Sequence, residues 1–158
     1  MKWIAFALAA GLALAAFGLW PFEPQEPGNL LPVRTLCAAA DGEAVEIRTD
    51  NGLYGRGRTY GEAMDALEKS APGTAFFASC SEVILCPAKQ LLAAAAADDR
   101  LRPAVSLYDC DSVPDPAGVQ GILDAHRGGV TLSDVRRGEA ELPRLEEQNG
   151  GWFVDAVS

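Results

Sequence analysis

Histidine is almost missing from this chain: His126 is the only one in 158 residues. Imidazole is the commonest general base, and a working one needs a nucleophile and an orienting acid beside it. No such set can be assembled around His126, which stands next to Arg127 at the end of a predicted helix. There a cation complements the negative end of the helix dipole. The four cysteines, Cys37, Cys80, Cys86 and Cys110, include no pair with a two-residue gap. That spacing excludes the usual dithiol redox motif and the close thiolate pairs of structural zinc sites. No Gly-Lys-Ser/Thr is present to cradle phosphate. Basic residues are in the minority, 13 against 22 acidic ones, for a net charge of −9. Such a balance excludes nucleic acid and anionic headgroups as natural partners. The acids are scattered rather than massed in a tail, and read as a solubilising surface. No cofactor and no metal is expected.

What the chain does have, directly after Lys2, is an uncharged run over residues 3–20 that opens on Trp3 and closes on Trp20. At about 1.5 Å per helical residue the run reaches about 27 Å, close to the thickness of a bilayer's hydrocarbon core. Residues 1–21 are therefore either a membrane anchor or a signal peptide. Ala13-Leu14-Ala15 and Ala16-Phe17-Gly18 offer cut sites for the second reading. Trp3 and Trp20, placed at the two headgroup levels, and the helix-breaking Pro21 favour the first. In both, the positive-inside bias exports the remainder of the chain, leaving the body membrane-anchored on the extracytoplasmic face, or secreted if the leader is cut. Residues 22–30 are rich in proline and read as a tether. Residues 31–158 are long enough for one domain with one core.

Strands and helices alternate along that body. Strands are expected over 33–39 and 44–49, turned at Asp41-Gly42. After a glycine-bearing loop, a helix over 60–70 opens with Thr59 and Glu62 at capping-box spacing and places Tyr60, Ala63, Met64 and Leu67 on one face. Residues 74–79 and 82–86 read as strand with a kink at Ser79-Cys80-Ser81. A helix over 87–98, a strand over 104–109 and a helix over 116–126 come next. Thr131 and Asp134 cap a short helical turn over 132–137. The chain closes on a hairpin of 141–146 and 152–157, turned at Asn149-Gly150. Strands separated by ten-residue helices imply parallel neighbours joined by right-handed crossovers. The fold expected is α/β (α+β), a mixed sheet covered by two or three helices.

Three further features invite a chemical reading. Residues 55–61, Gly-Arg-Gly-Arg-Thr-Tyr-Gly, imitate a dinucleotide fingerprint, but the third glycine falls inside the helix, and a turn with a cap is the better account. The four cysteines, outside a membrane, allow two bridges in any of three pairings, or remain as buried thiols. Cys86 and Cys110 stand near the ends of strands expected to be parallel neighbours. The acidic set Asp109, Asp111 and Asp115 lacks the spacing and terminal glutamate of a calcium loop.

The order of these pieces carries a resemblance. Gly57-Arg58-Thr59-Tyr60-Gly61-Glu62-Ala63 opens a helix, and Cys80-Ser81-Glu82-Val83-Ile84-Leu85-Cys86 forms the next strand. A helix and Asp99-Arg100-Leu101-Arg102-Pro103 then lead to a further strand, with Leu142-Pro143-Arg144-Leu145 near the end. Over about 110 residues this resembles the amino-terminal domain of the Ger(x)C family, the C subunits of spore germinant receptors. Members are lipoproteins with two further domains; here an apolar run stands in place of the lipid. The resemblance implies a non-enzymatic subunit that works through contacts with integral membrane proteins. The surfaces expected to meet them are the loop 51–58 with Arg56 and Arg58, and the loop 109–115 with Asp109 and Asp111. Two other readings stay open: a thiol-dependent redox protein built on Cys80 and Cys86, and a small-ligand binder with its pocket at the carboxyl ends of the strands.

Overall fold

Strand β6 (Glu82–Cys86) is buried at all five positions, so it must lie inside a sheet that is covered on both faces. The computed structural model, which describes residues 27–126, 129–138 and 141–155, puts it there. Seven strands run in the order β4 (Tyr54–Gly57), β3 (Ala44–Thr49), β2 (Thr35–Asp41), β6, β7 (Ser106–Cys110), β8 (Arg144–Gln148) and β9 (Gly151–Asp155). The neighbours β2, β6, β7 and β8 are parallel, and antiparallel hairpins close both ends. Two short strands, β1 (Leu30–Pro32) and β5 (Thr74–Phe76), pair with each other outside this sheet. Mixed α/β architecture in a single domain is thus as expected.

Among the described residues four helices, not two or three, pack on the sheet. The first face is covered by α1 (Tyr60–Ser70), α2 (Ala88–Ala97) and α4 (Leu132–Arg137). Their Tyr60, Ala63, Met64, Leu67, Leu91, Ala95 and Leu132 meet Leu36, Ala38, Val83, Leu85 and Leu107. Helix α3 (Pro116–Ala125) covers the second face, setting Val119 and Leu123 on Cys37, Ile84, Tyr108, Cys110 and Leu145. The two-residue period of a strand sends alternate side chains to these two cores.

The turn chemistry is set by the residues. Gly42, at φ 61°, opens the two-residue turn between β2 and β3. Asn149 and Gly150, both with positive φ, turn the hairpin of β8 and β9. Its strands sit at Arg144–Gln148 and Gly151–Asp155, a few residues inward of the expected ones. Thr59 caps α1 through the amide of Glu62, and the Glu62 carboxylate accepts from the amide of Arg58 at 2.8 Å rather than from that of Thr59. Thr131 and Asp134 make the full reciprocal box at the start of α4.

The largest departure lies at residues 51–58. The glycine pattern there suggests a flexible loop, but Tyr54–Gly57 is strand β4 at the edge of the sheet. Its glycines serve contact rather than flexibility. A Cβ on Gly55 would stand 2.1 Å from the Ala63 carbonyl oxygen, and one on Gly57 2.5 Å from the Glu62 Cβ. Helix α1 therefore lies directly on the backbone of β4, an approach only glycine allows.

Charged side chains fasten the helices to one another. Arg100 holds Asp98 (2.9 Å), Asp65 (3.1 Å) and Glu68 (3.4 Å), tying the end of α2 to α1. Arg136 on α4 donates to the Ala96 and Asp98 carbonyl oxygens at the C-terminus of α2, where a cation also suits the dipole. Among the described residues no helix is long and apolar enough to cross a membrane; the leader lies outside them. Gly55→Ala is expected to destabilise the protein by about 3 kcal/mol through overpacking against α1. Gly61→Ala, in the same motif but with open space around its Cβ, should stabilise it by about 0.5–1 kcal/mol. Urea unfolding of the two variants checks both signs.

Candidate functional site

Three side-chain rows cross β2, β6 and β7 on the face beneath α3, and they differ sharply in character. At the entry to the strands the register brings Thr35 against Glu82 and Glu82 against Ser106. All three are buried polar residues. The Glu82 carboxylate accepts from Ser81 Oγ at 2.6 Å and from Thr35 Oγ1 at 3.3 Å, so the hydroxyls supply part of the solvation that burial removes. Next come Cys37, Ile84 and Tyr108, and the Tyr108 hydroxyl donates to the His126 carbonyl at the end of α3. At the exit lie Ala39, Cys86 and Cys110.

The result is a cluster of three thiols on one face. Cys37 Sγ lies 3.8 Å from Cys86 Sγ. Cys86 and Cys110, one step beyond the last paired residues of β6 and β7, both face the Ser112 carbonyl oxygen, at 3.9 Å and 2.6 Å. Cys80 is elsewhere. It sits in the other core, its thiol donating to the Glu82 carbonyl at 3.4 Å. Cys80 and Cys86, the two thiols on which a redox reading would rest, thus lie in different cores, because Cys80 is set by the 3-10 turn Phe77–Ser79 that precedes β6 and not by the strand itself.

All four thiols are buried and unbridged. Burial pushes the Cys80 thiol up to about 12, with the Glu82 carboxylate adding to the effect. Cys86 is also raised: its contact with Cys110 favours the thiolate, but the contact with Cys37 and burial outweigh that. Cys110 is raised by its contact with Cys86 and by burial. Such thiols are held protonated and are poor nucleophiles. No group of three or more His, Cys, Asp or Glu among the described residues has the geometry to hold a metal ion.

The residues expected to meet partners are scattered rather than gathered. Arg56 projects from the outer strand β4 and pairs with Glu46 at 3.1 Å. Arg58 is exposed just beyond it, its backbone amide bound by Glu62. Asp109 is not a loop residue. It lies on β7, and its carboxylate accepts from the Ala88 amide at 2.8 Å. That contact caps α2 from a neighbouring strand, since the N-cap position holds Pro87, which makes no side-chain bond. Asp111 is exposed and ion-paired with Arg144. His126 is exposed and its Nδ1 lies 2.8 Å from the Ile122 carbonyl, a helix-end contact as expected.

Sequence reasoning missed the surface that most departs from an ordinary one. On β8 and β9, Leu145, Trp152 and Val154 point toward α3, and Glu146 and Phe153 face the other way. Among the described residues no helix covers that side. Phe153 is 55% exposed, the most exposed large apolar side chain among the described residues. A shallow hollow of about 350 Å³ lies beside it, lined by Glu146, Gln148, Phe153, Val154 and Asp155. A second hollow of similar size, lined by Asp111, Ser112, Arg144 and Glu147 among others, adjoins at Glu146. The alternation of Trp152, Phe153 and Val154 signals a strand apolar on both faces, but only the packing reveals which face lacks a cover.

Set beside protein-family models, curated proteins and solved structures, the chain matches none of them.

In the reduced native protein none of the four thiols should react with iodoacetamide at pH 8, and all four should react once it is unfolded. Mass spectrometry counts them. The raised thiols also set a pH dependence. Above the ordinary cysteine value, near 8.5, the unfolded chain releases protons that the folded one retains, so unfolding is favoured. Stability of the reduced protein is expected to hold up to about pH 8 and to fall as the pH rises further toward the folded values. Urea midpoints measured from pH 6 to 10 check the direction.

Proposed function

We propose that this chain is a non-enzymatic subunit, anchored to a membrane by residues 1–21 and working on the extracytoplasmic side by docking other proteins, a relative of the spore germinant receptor C subunits. The single observation that favours docking is the uncovered hairpin face around Phe153. A large exposed aromatic rimmed by polar residues is characteristic of a protein-binding surface. Among the described residues β9 pairs only with β8, so its outer backbone edge is open to an added strand. Glu146 and Asp155 line the hollow beside the aromatic, while the nearby Arg144 is already engaged by Asp111 and Glu146. The charge selects an extended partner segment with an apolar residue for Phe153 and lysine or arginine beside it.

Support for a receptor subunit rather than an enzyme comes from the side chains. The one histidine spends its Nδ1 on its own helix, the thiols are buried, and the hollows are shallow. The relationship rests on the ordered series of sequence motifs from Thr59 through residues 80–86 to Arg100. The apolar leader supports the anchor.

Cells that make the protein, carrying a photo-crosslinking residue in place of Phe153, provide the test. The protein should sediment with membranes, be cut by protease added outside the cell membrane, and form an adduct with an integral membrane protein. Charge reversal at Glu146 and Asp155 should reduce that adduct about tenfold without changing the unfolding midpoint. Recovery of the protein from the cytosol, or adducts insensitive to the reversal, would count against the proposal.

A further inference from the structure

We propose that Cys86 and Cys110 are a disulfide-forming pair that bridges β6 and β7, while Cys37 and Cys80 remain thiols. Four cysteines allow three two-bridge pairings on paper, and the sheet removes most of that freedom. Cys80 is confined to the opposite core. Among the other three, register decides. The last paired residues of β6 and β7 are Leu85 and Asp109, so Cys86 and Cys110 stand one step further along parallel neighbours. Adjacent strands are about 4.8 Å apart, inside the Cα separation of about 4.4–6.8 Å that a disulfide accepts. Their sulfurs already face one carbonyl oxygen, that of Ser112.

Cys37 is the instructive competitor, because its sulfur is only 3.8 Å from that of Cys86. It pairs in register with Ile84, two residues before Cys86. A diagonal of that kind separates Cα atoms by about 7–8 Å, beyond what the bridge spans without moving the backbone. Contact between sulfurs is therefore not enough, and the direct neighbour is favoured over the diagonal one.

Closure is a thiol–disulfide exchange. Two S–H bonds break, one S–S bond forms, and two protons leave. The two electrons reduce the disulfide of an oxidant, glutathione disulfide or an oxidised dithiol protein, to two thiols. Since the packed thiols are protonated and shielded, exchange takes place while the chain is still folding, when both sulfurs are reachable. An oxidising disulfide present at that moment is the only requirement, wherever the chain resides. Once closed, the bridge joins the last residues of two central strands and restrains the whole of α2 and the turn between them in the unfolded chain.

The test uses the full chain, unfolded and refolded in detergent with a mixture of reduced and oxidised glutathione, then blocked with iodoacetamide. Digestion without reduction by trypsin and a glutamate-specific protease, which cuts after Glu82 and separates Cys80 from Cys86, should yield one linked peptide pair holding Cys86 and Cys110. Cys37 and Cys80 should be found alkylated. The oxidised protein should unfold about 6–12 °C above the same protein reduced. That difference should vanish in Cys110→Ser and persist in Cys80→Ser. Four alkylated cysteines, a bridge through Cys37 or Cys80, or a thermal difference that survives in Cys110→Ser would each overturn the assignment.

Discussion

The burial of β6 on both sides is the constraint on which the rest of this structure depends. A strand with no solvent face must be flanked by other strands and sandwiched between layers, and β2 and β7 take the flanks while helices take the layers. Each large apolar side chain so enclosed contributes about 1.5–3 kcal/mol, and Val83, Ile84 and Leu85 supply three in succession. Parallel neighbours need crossover connections, so α2 and then α3 and α4 are required on topological grounds. The two cores also separate the cysteines: Cys80, in the turn before β6, lies in one, and Cys37, Cys86 and Cys110 on the strands lie in the other.

Much of this was legible in residue order, and the reasons differ by element. Helix α1 declares itself through Thr59, Glu62 and the spacing of Tyr60, Ala63, Met64 and Leu67, because capping and periodicity are local. The two tight turns at Gly42 and Asn149-Gly150 are legible for the same reason. Strand β4 was hidden, since Gly55 and Gly57 have no strand propensity and belong there only because α1 needs their missing side chains. Asp109 was hidden too. Its work as a cap for α2 depends on a contact across 21 positions of sequence. Burial of Glu82 in the Thr35–Ser106 row, and the Arg100 and Arg136 fastenings, likewise depend on which elements become neighbours.

The two notable regions of the molecule sit at opposite extremes of exposure. The thiol cluster is sealed beneath α3 and chemically quiet while packed. The β8–β9 hairpin, covered by α3 on one face, leaves Phe153 of its other face in solvent, beside Glu146 and Asp155 and a strand edge. A sheet whose middle is enclosed and whose margin is open is well suited to hold a docking strand rigid, since the register of β8 is fixed by its pairing to β7.

Hydrogen exchange of the full chain, compared in its own membranes and after extraction into detergent, tests the account most directly. The enclosed scaffold predicts that β6 amides are the slowest to exchange in both samples, and docking predicts that β9 alone among the strands gains protection in the membrane sample. Exchange in β9 that is unchanged by extraction, or fast exchange in β6, would contradict it.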